Sequence, residues 1–169
     1  TNRDKFLRNQ VDKYTWCDVG SSFYPSDLTA AFLYAQLKDC LKINQNRKSI
    51  IDTYFIALDK LAKKGLFELM KIPNGAEGNG HMFYILLNKA EEQQSFIKFM
   101  KKEGIQTPFH YVPLHSSPAG IKYGKQYGSL NHTDSISSRL VRLPVYYNLD
   151  EENNISRIIN SINNFFNKY

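Results

Sequence analysis

The sequence predicts an α/β fold in which one long helix leads into a small sheet covered by helices. Three observations predict it. A helical apolar period begins at Ser26 and runs to Lys64. Short apolar runs at Met82–Leu87, Ile105–Leu114 and Leu140–Pro144 alternate with helical segments. A last stripe of Ile155, Ile158, Ile159, Ile162, Phe165 and Phe166 repeats at 3.6-residue spacing.

Residues 1–25 lack strong periodicity. Arg3, Asp4, Lys5, Arg8, Asp12 and Lys13 alternate in sign and read as a solvated segment leading to Tyr14 and Trp16. The loop Gly20-Ser-Ser-Phe-Tyr-Pro25 then feeds Ser26 and the helix. Unsatisfied N–H groups and the positive end of the dipole make such a loop a ready anion site. The same residues also suit plain capping.

Over 26–64, Leu28, Ala31, Phe32 and Ala35 start the helical pattern, and Ile51, Phe55, Leu58, Leu61 and Ala62 continue it. Lys63-Lys64-Gly65 is a helix stop. About 38 residues at about 1.5 Å each would reach about 60 Å. The polar stretch Asn44–Lys48 is a candidate bend or break.

Residues 65–169 carry the α/β layer. Pro73-Asn74-Gly75 and Gly78-Asn79-Gly80 are turns. Met82–Leu87 reads as a buried strand. Asn88 with Glu91 predicts a capping box for a helix that buries Phe96, Ile97 and Met100 and stops at Gly104. Ile105–Leu114 predicts an edge strand, interrupted by Pro108 and Pro113. Residues 116–132 read as a loop, 134–139 as a short helix, and Leu140–Pro144 as a third strand. The Ile/Phe stripe of the last helix is core.

Composition narrows the function classes. Apolar residues at 42% and charged residues at 22% are ordinary for a globular protein of 169 residues. The net charge of +6 is a mild excess that favours phosphate-bearing partners. The basic residues are scattered without a stripe, which argues against nucleic acid. Cys17 and Cys40 make neither a disulfide framework nor a metal cluster and suit a reducing cytoplasm. No apolar run has membrane-span length, and no signal peptide opens the chain. A start at Thr1 without methionine predicts a processed protein or a piece of a longer one.

Several blocks, in order, carry a family resemblance. They are Gln10-Val-Asp-Lys-Tyr-Thr-Trp16, Gly20–Leu28, Ala30-Ala31 and Ala35-Gln36-Leu37, then Ile43-Asn44-Gln45 and His81-Met-Phe-Tyr84. Phe109-His-Tyr-Val-Pro-Leu-His115, Pro118-Ala119-Gly120, Arg139–Pro144 and Tyr147-Asn148-Leu149 complete the set. Together they resemble the C-terminal part of the DegT/DnrJ/EryC1/StrS sugar aminotransferases.

That resemblance implies the small domain of a fold-type I, aspartate-aminotransferase-like enzyme. Residues 1–25 would be the end of the large domain with the cofactor-phosphate loop, 26–64 the connecting helix, and 65–169 the small domain. It also implies a cytoplasmic homodimer that uses pyridoxal 5'-phosphate, L-glutamate and a nucleotide sugar. The family's Schiff-base lysine and its Gly-Glu-Gly-Gly segment lie upstream of the residues matched here, so no residue of this chain is expected to be catalytic and the chain alone is expected to be inactive. A non-catalytic sugar-nucleotide-binding or dimerisation module is the alternative.

Site residues follow by position. Where the family has Asn-Tyr-Arg, this chain has Ser22, Phe23 and Tyr24. Ser21 and Ser22 fit the dTDP-sugar 4-transaminase subgroup and are candidates for the cofactor phosphate, against a reading as a simple turn. Tyr24 replaces a fixed cation and is a substrate-side candidate. His110, Tyr111 and His115 lie where the family's small domain approaches cofactor and sugar. A histidine there can bond a sugar hydroxyl or move a proton, or can be packed and satisfied. Tyr14 and Trp16 could stack on a base or sugar, or pack. His81 reads as structural, His132 carries no signal, and no histidine has zinc-ligand spacing with cysteine. The roles of Arg139 and Arg142 stay open.

Overall fold

The computed structural model describes residues 5, 7, 8, 10 and 23–167, in two compact units, Thr1–Lys38 and Asp39–Tyr169. In the first unit, helix α1 spans Asp27–Lys38. Ser26 caps it, its hydroxyl accepting from the Thr29 N–H at 3.2 Å. Leu28, Phe32, Leu33 and Leu37 are all exposed on it.

In the second unit, helix α2 spans Cys40–Lys63. The continuous helix expected over 26–64 is therefore divided at Asp39, whose φ of −100° and ψ of 6° leave the helical region. The polar stretch Asn44–Lys48 instead lies inside α2, because its side chains are tied to other parts of the unit. Asn46 accepts from the Asn148 N–H at 2.9 Å. Arg47 donates to the His81 carbonyl at 2.9 Å, and Lys48 pairs with Glu77. One face of α2 buries Ile50, Ile51, Tyr54, Leu58 and Leu61. Gly65, with a φ of +75°, ends it.

The sheet is antiparallel, in the order β1 (Phe67–Leu69), β2 (Phe83–Leu87) and β3 (Leu140–Leu143). Phe67 pairs with Leu87, and Phe83 with Leu143. Alternation puts Phe83, Ile85, Leu87, Val141 and Leu143 in the core, and Tyr84 and Arg142 on the opposite face. Helix α3 (Ala90–Lys102) adds Phe96 and Met100 to the core. The last helix of the unit, over Asn154–Phe166, adds Ile155, Ile158, Ile162 and Phe165, as its stripe predicts. Phe96 meets Phe165 edge to face at 5.1 Å.

Five local features differ from expectation. Strand β1, only three residues long, is too short for a periodic signal. Ile105–Leu114 is not a strand: residues 105–113 run along β3 with one bridge from Phe109 to Val141, and Leu114 enters a 3₁₀ turn. Pro108 and Pro113 have no N–H to extend a ladder. Within the loop expected over 116–132, a 3₁₀ turn (Leu114–Ser116) precedes helix α4 (Pro118–Tyr123), capped by Ser117 with Pro118 at its first position. Helix α5 (Asn131–Ser137) starts three residues before the expected 134. The last helix, Asn154–Phe166, is thus α6. Helix α3 is capped one residue later than expected: Glu92 accepts from the Lys89 N–H, while Asn88 donates to the Gly65 carbonyl.

Candidate functional site

Residues 104–115 build the site. Gly104, with a φ of +72°, turns the chain out of α3, and Ile105 and Thr107 anchor the segment by burial. The Arg142 N–H donates to the Pro108 carbonyl at 2.9 Å, which fastens the segment to β3. Two residues later the chain presents His110 and Tyr111, their rings edge to face at 4.7 Å.

These two side chains line two cavities. One, of about 770 Å³, is also lined by His81, Arg142, Tyr146 and Arg157. The other, of about 630 Å³, is mainly apolar and is also lined by Val112, Leu114, His132 and Ile136. His110 is half-buried, and its Nδ1 is shut from solvent without a hydrogen-bond partner among the described residues. Tyr111 is exposed. An imidazole beside a phenol supplies both donor and acceptor groups for a hydroxyl.

His115 lies apart from both cavities. Its Nε2 is 2.9 Å from Asp134 Oδ1, joining the 3₁₀ turn to α5. Tyr24 is exposed in the first unit. Ser21 and Ser22, with Tyr14, Trp16 and Cys17, lie outside the described residues.

The two arginines left open by the sequence part company. Arg139 bonds the Ser135 carbonyl and hydroxyl and the Leu87 carbonyl, at 3.1, 3.2 and 3.1 Å, and so braces α5 against β2. The Arg142 side chain has no hydrogen-bond or ion-pair partner among the described residues, and its Nε is buried. Tyr146 and Arg157 also line the larger cavity, beyond the sequence candidates. Arg157 did carry a signal: it is the only charged residue in α6. Its Nη1 donates to the Glu103 carbonyl at 2.8 Å. Beneath the site, Tyr54 donates to the Pro144 carbonyl at 3.0 Å, and burial, aided by Tyr146, pushes its phenol well above the usual tyrosine value.

Among the described residues no group of three or more His, Cys, Asp or Glu could hold a metal ion. Nor is any described helix long and apolar enough to cross a membrane.

Comparison with known proteins gives consistent matches. A pleiotropic regulatory protein of Geobacillus stearothermophilus is 24% identical over 83% of this chain and 37% of its own length. The dTDP-3-amino-3,6-dideoxy-alpha-D-galactopyranose transaminase of Aneurinibacillus thermoaerophilus is 23% identical over 82% of this chain and 36% of its own. The crystal structure of S. venezuelae DesV in complex with a ketimine intermediate superposes with a TM-score of 0.78 at 25% identity, over 96% of this chain and 43% of that one. The chain thus spans little more than a third of the length of these two curated relatives. The fold is that of the fold-type I aminotransferases. The description "DegT/DnrJ/EryC1/StrS aminotransferase family" matches residues 3–163, nearly the whole chain, and the chain belongs to that family.

Proposed function

We propose that this chain is the C-terminal portion of a pyridoxal-phosphate sugar-nucleotide transaminase. The reaction proposed for the whole enzyme moves an amino group from L-glutamate to the C4 keto group of dTDP-4-keto-6-deoxy-D-glucose, as in a dTDP-4-amino-4,6-dideoxygalactose transaminase. The observation that carries this reading is the His110–Tyr111 pair, held on the β3 edge and lining two cavities, with His110 Nδ1 unpartnered among the described residues. In it, His110 and Tyr111 contact the sugar nucleotide. Ser21 and Ser22 contact the cofactor phosphate of the partner in a cytoplasmic homodimer, and Tyr24 lies on the substrate side. His115 acts by positioning, through Asp134.

The described residues do not make a complete pyridoxal-phosphate site. Among the described residues no lysine lines either cavity beside His110, so none of them there can hold the cofactor as an imine. That supports inactivity of the chain alone, and it favours, as a second reading, a non-catalytic sugar-nucleotide-binding or dimerisation module. In the first reading the chain would contribute the partner-side phosphate loop, part of the sugar pocket and the connecting helix, and not the imine-forming lysine.

The test uses the native protein from its source cell. Intact mass and the visible spectrum are recorded before and after borohydride, followed by an assay with dTDP-4-keto-6-deoxyglucose and ¹⁵N-glutamate. A species well above 19.6 kDa, with a visible band that borohydride abolishes and ¹⁵N in the amino sugar, is expected. A native species of this mass with no such band would leave the binding-module reading.

A further inference from the structure

We propose that Asn74 is a modification site: its side chain closes on the Gly75 nitrogen to a succinimide, which water opens to aspartate and isoaspartate. Asn79, in a second Asn-Gly pair, is held back by the fold. The inference does not rest on the transaminase reading.

The loop between β1 and β2 holds both pairs, Asn74-Gly75 and Asn79-Gly80. Glycine favours this chemistry because it has no Cβ to shield the attacking nitrogen and lets the main chain turn into the approach. The dipeptides are identical, so only their surroundings separate them. Asn74 and Gly75 are the central residues of a turn that the Ala76 N–H closes on the Pro73 carbonyl at 3.0 Å. Gly75 has a φ of +79°, and a Cβ built on it would meet nothing within 4 Å. Both residues are exposed, and the Asn74 side chain has no hydrogen-bond partner among the described residues.

Asn79 is restrained on two sides. Its Oδ1 accepts from the His81 N–H at 3.2 Å and lies 2.9 Å from His81 Nδ1. Gly80 is buried, and a Cβ on it would lie 3.0 Å from both the Arg47 Cβ and the Lys48 nitrogen of α2. Donors on Oδ1 polarise the amide, which by itself would speed attack. Ring closure, however, swings Cγ onto the Gly80 nitrogen, and that motion breaks both contacts and turns a peptide packed on α2. The cost of the motion outweighs the polarisation.

At Asn74 the Gly75 nitrogen attacks Cγ. A new N–C bond forms, the Cγ–Nδ2 bond breaks, and ammonia leaves with the proton that the Gly75 nitrogen carried. Water then opens the ring at either carbonyl. One opening gives aspartate; the other gives isoaspartate, whose main chain is longer by a methylene. Pro73 and Ala76, which flank the pair, line a cavity of about 620 Å³ together with Lys48 and Lys71. Modification therefore puts a new carboxylate and a lengthened main chain at the wall of that cavity.

The experiment incubates the full protein in mildly alkaline buffer, folded and in urea, and follows both Asn-Gly peptides by chromatography and mass spectrometry. In the folded protein Asn74 should convert to two acidic forms, with Asn79 slower by about tenfold or more, the order set by two hydrogen bonds to be broken. In urea the two should convert at similar rates. His81→Ala should speed conversion of Asn79 in the folded protein and leave that of Asn74 unchanged. If that variant does not fold, the comparison with urea carries the test. Equal rates at the two sites in the folded protein, no conversion of Asn74 there, or a lag of Asn79 that persists in urea would overturn the proposal.

Discussion

His115 and Asp134, nineteen residues apart, meet at 2.9 Å and tie the 3₁₀ turn over Leu114–Ser116 to α5. The imidazole is largely buried, whereas the carboxylate is half exposed. Solvent screening keeps such a pair weak, so Asp134→Asn should cost less than about 1 kcal/mol in urea unfolding. Amide exchange over 114–123 should nevertheless quicken, because the tie is local. A larger global loss, with exchange there unchanged, would contradict this role.

Gly120 packs against the same turn. A Cβ built on it would lie 1.5 Å from the Leu114 carbonyl oxygen and 2.9 Å from Ser117 Oγ. Backbone cannot yield as a flexible side chain can. Gly120→Ala should therefore cost about 1–3 kcal/mol, or detach the segment over 114–123. Thermal unfolding together with exchange over that segment separates the two outcomes, and a neutral substitution would refute the packing.

Tyr54 links pH to stability. Its folded pKa is raised by burial, so the folded state keeps a proton that the unfolded chain releases near pH 10. Its contribution is complete below that pH and is lost as pH rises above it. Alkaline destabilisation should be steeper in the parent chain than in Tyr54→Phe. At neutral pH the same substitution leaves the Pro144 carbonyl unpaired and should cost about 1–2 kcal/mol. Unfolding by urea at pH 7 and above pH 10 tests both halves.

Phe96 is the aromatic centre of the helix-facing core, fully buried between Phe165 and Phe166. Phe96→Ala should cost about 3–5 kcal/mol, a large part of the stability of a domain this size. Phe99→Ala, on the same helix but only partly buried, should cost clearly less. Equal losses by chemical denaturation would mean that the core is not centred on Phe96.

Much of the fold was legible because its signals are local. The α6 stripe, the Gly65 and Gly104 stops and the β2 and β3 runs depend on neighbours within one or two turns. What failed was also local but short or competing. Three residues of β1 carry no period. The apolar run over 105–114 looked like a strand until its prolines were set against the donors that a ladder needs. The Ser117-Pro118 start of α4 is a genuine helix signal, but the glycines and tyrosines that surround it favour a loop.

The sequence by itself determined the α/β class, the helical periods and the family resemblance, since spacing along the chain and ordered motifs suffice for each. Tertiary structure alone decided which candidates share a cavity. Residues 81, 110, 142 and 157 converge because an extended segment lies along β3 and α6 returns beside it. The same packing pairs His115 with Asp134 and leaves the Arg142 side chain without a hydrogen-bond partner among the described residues, while that of Arg139 has three acceptors. Such choices depend on contacts between residues distant in sequence, and no local pattern encodes them.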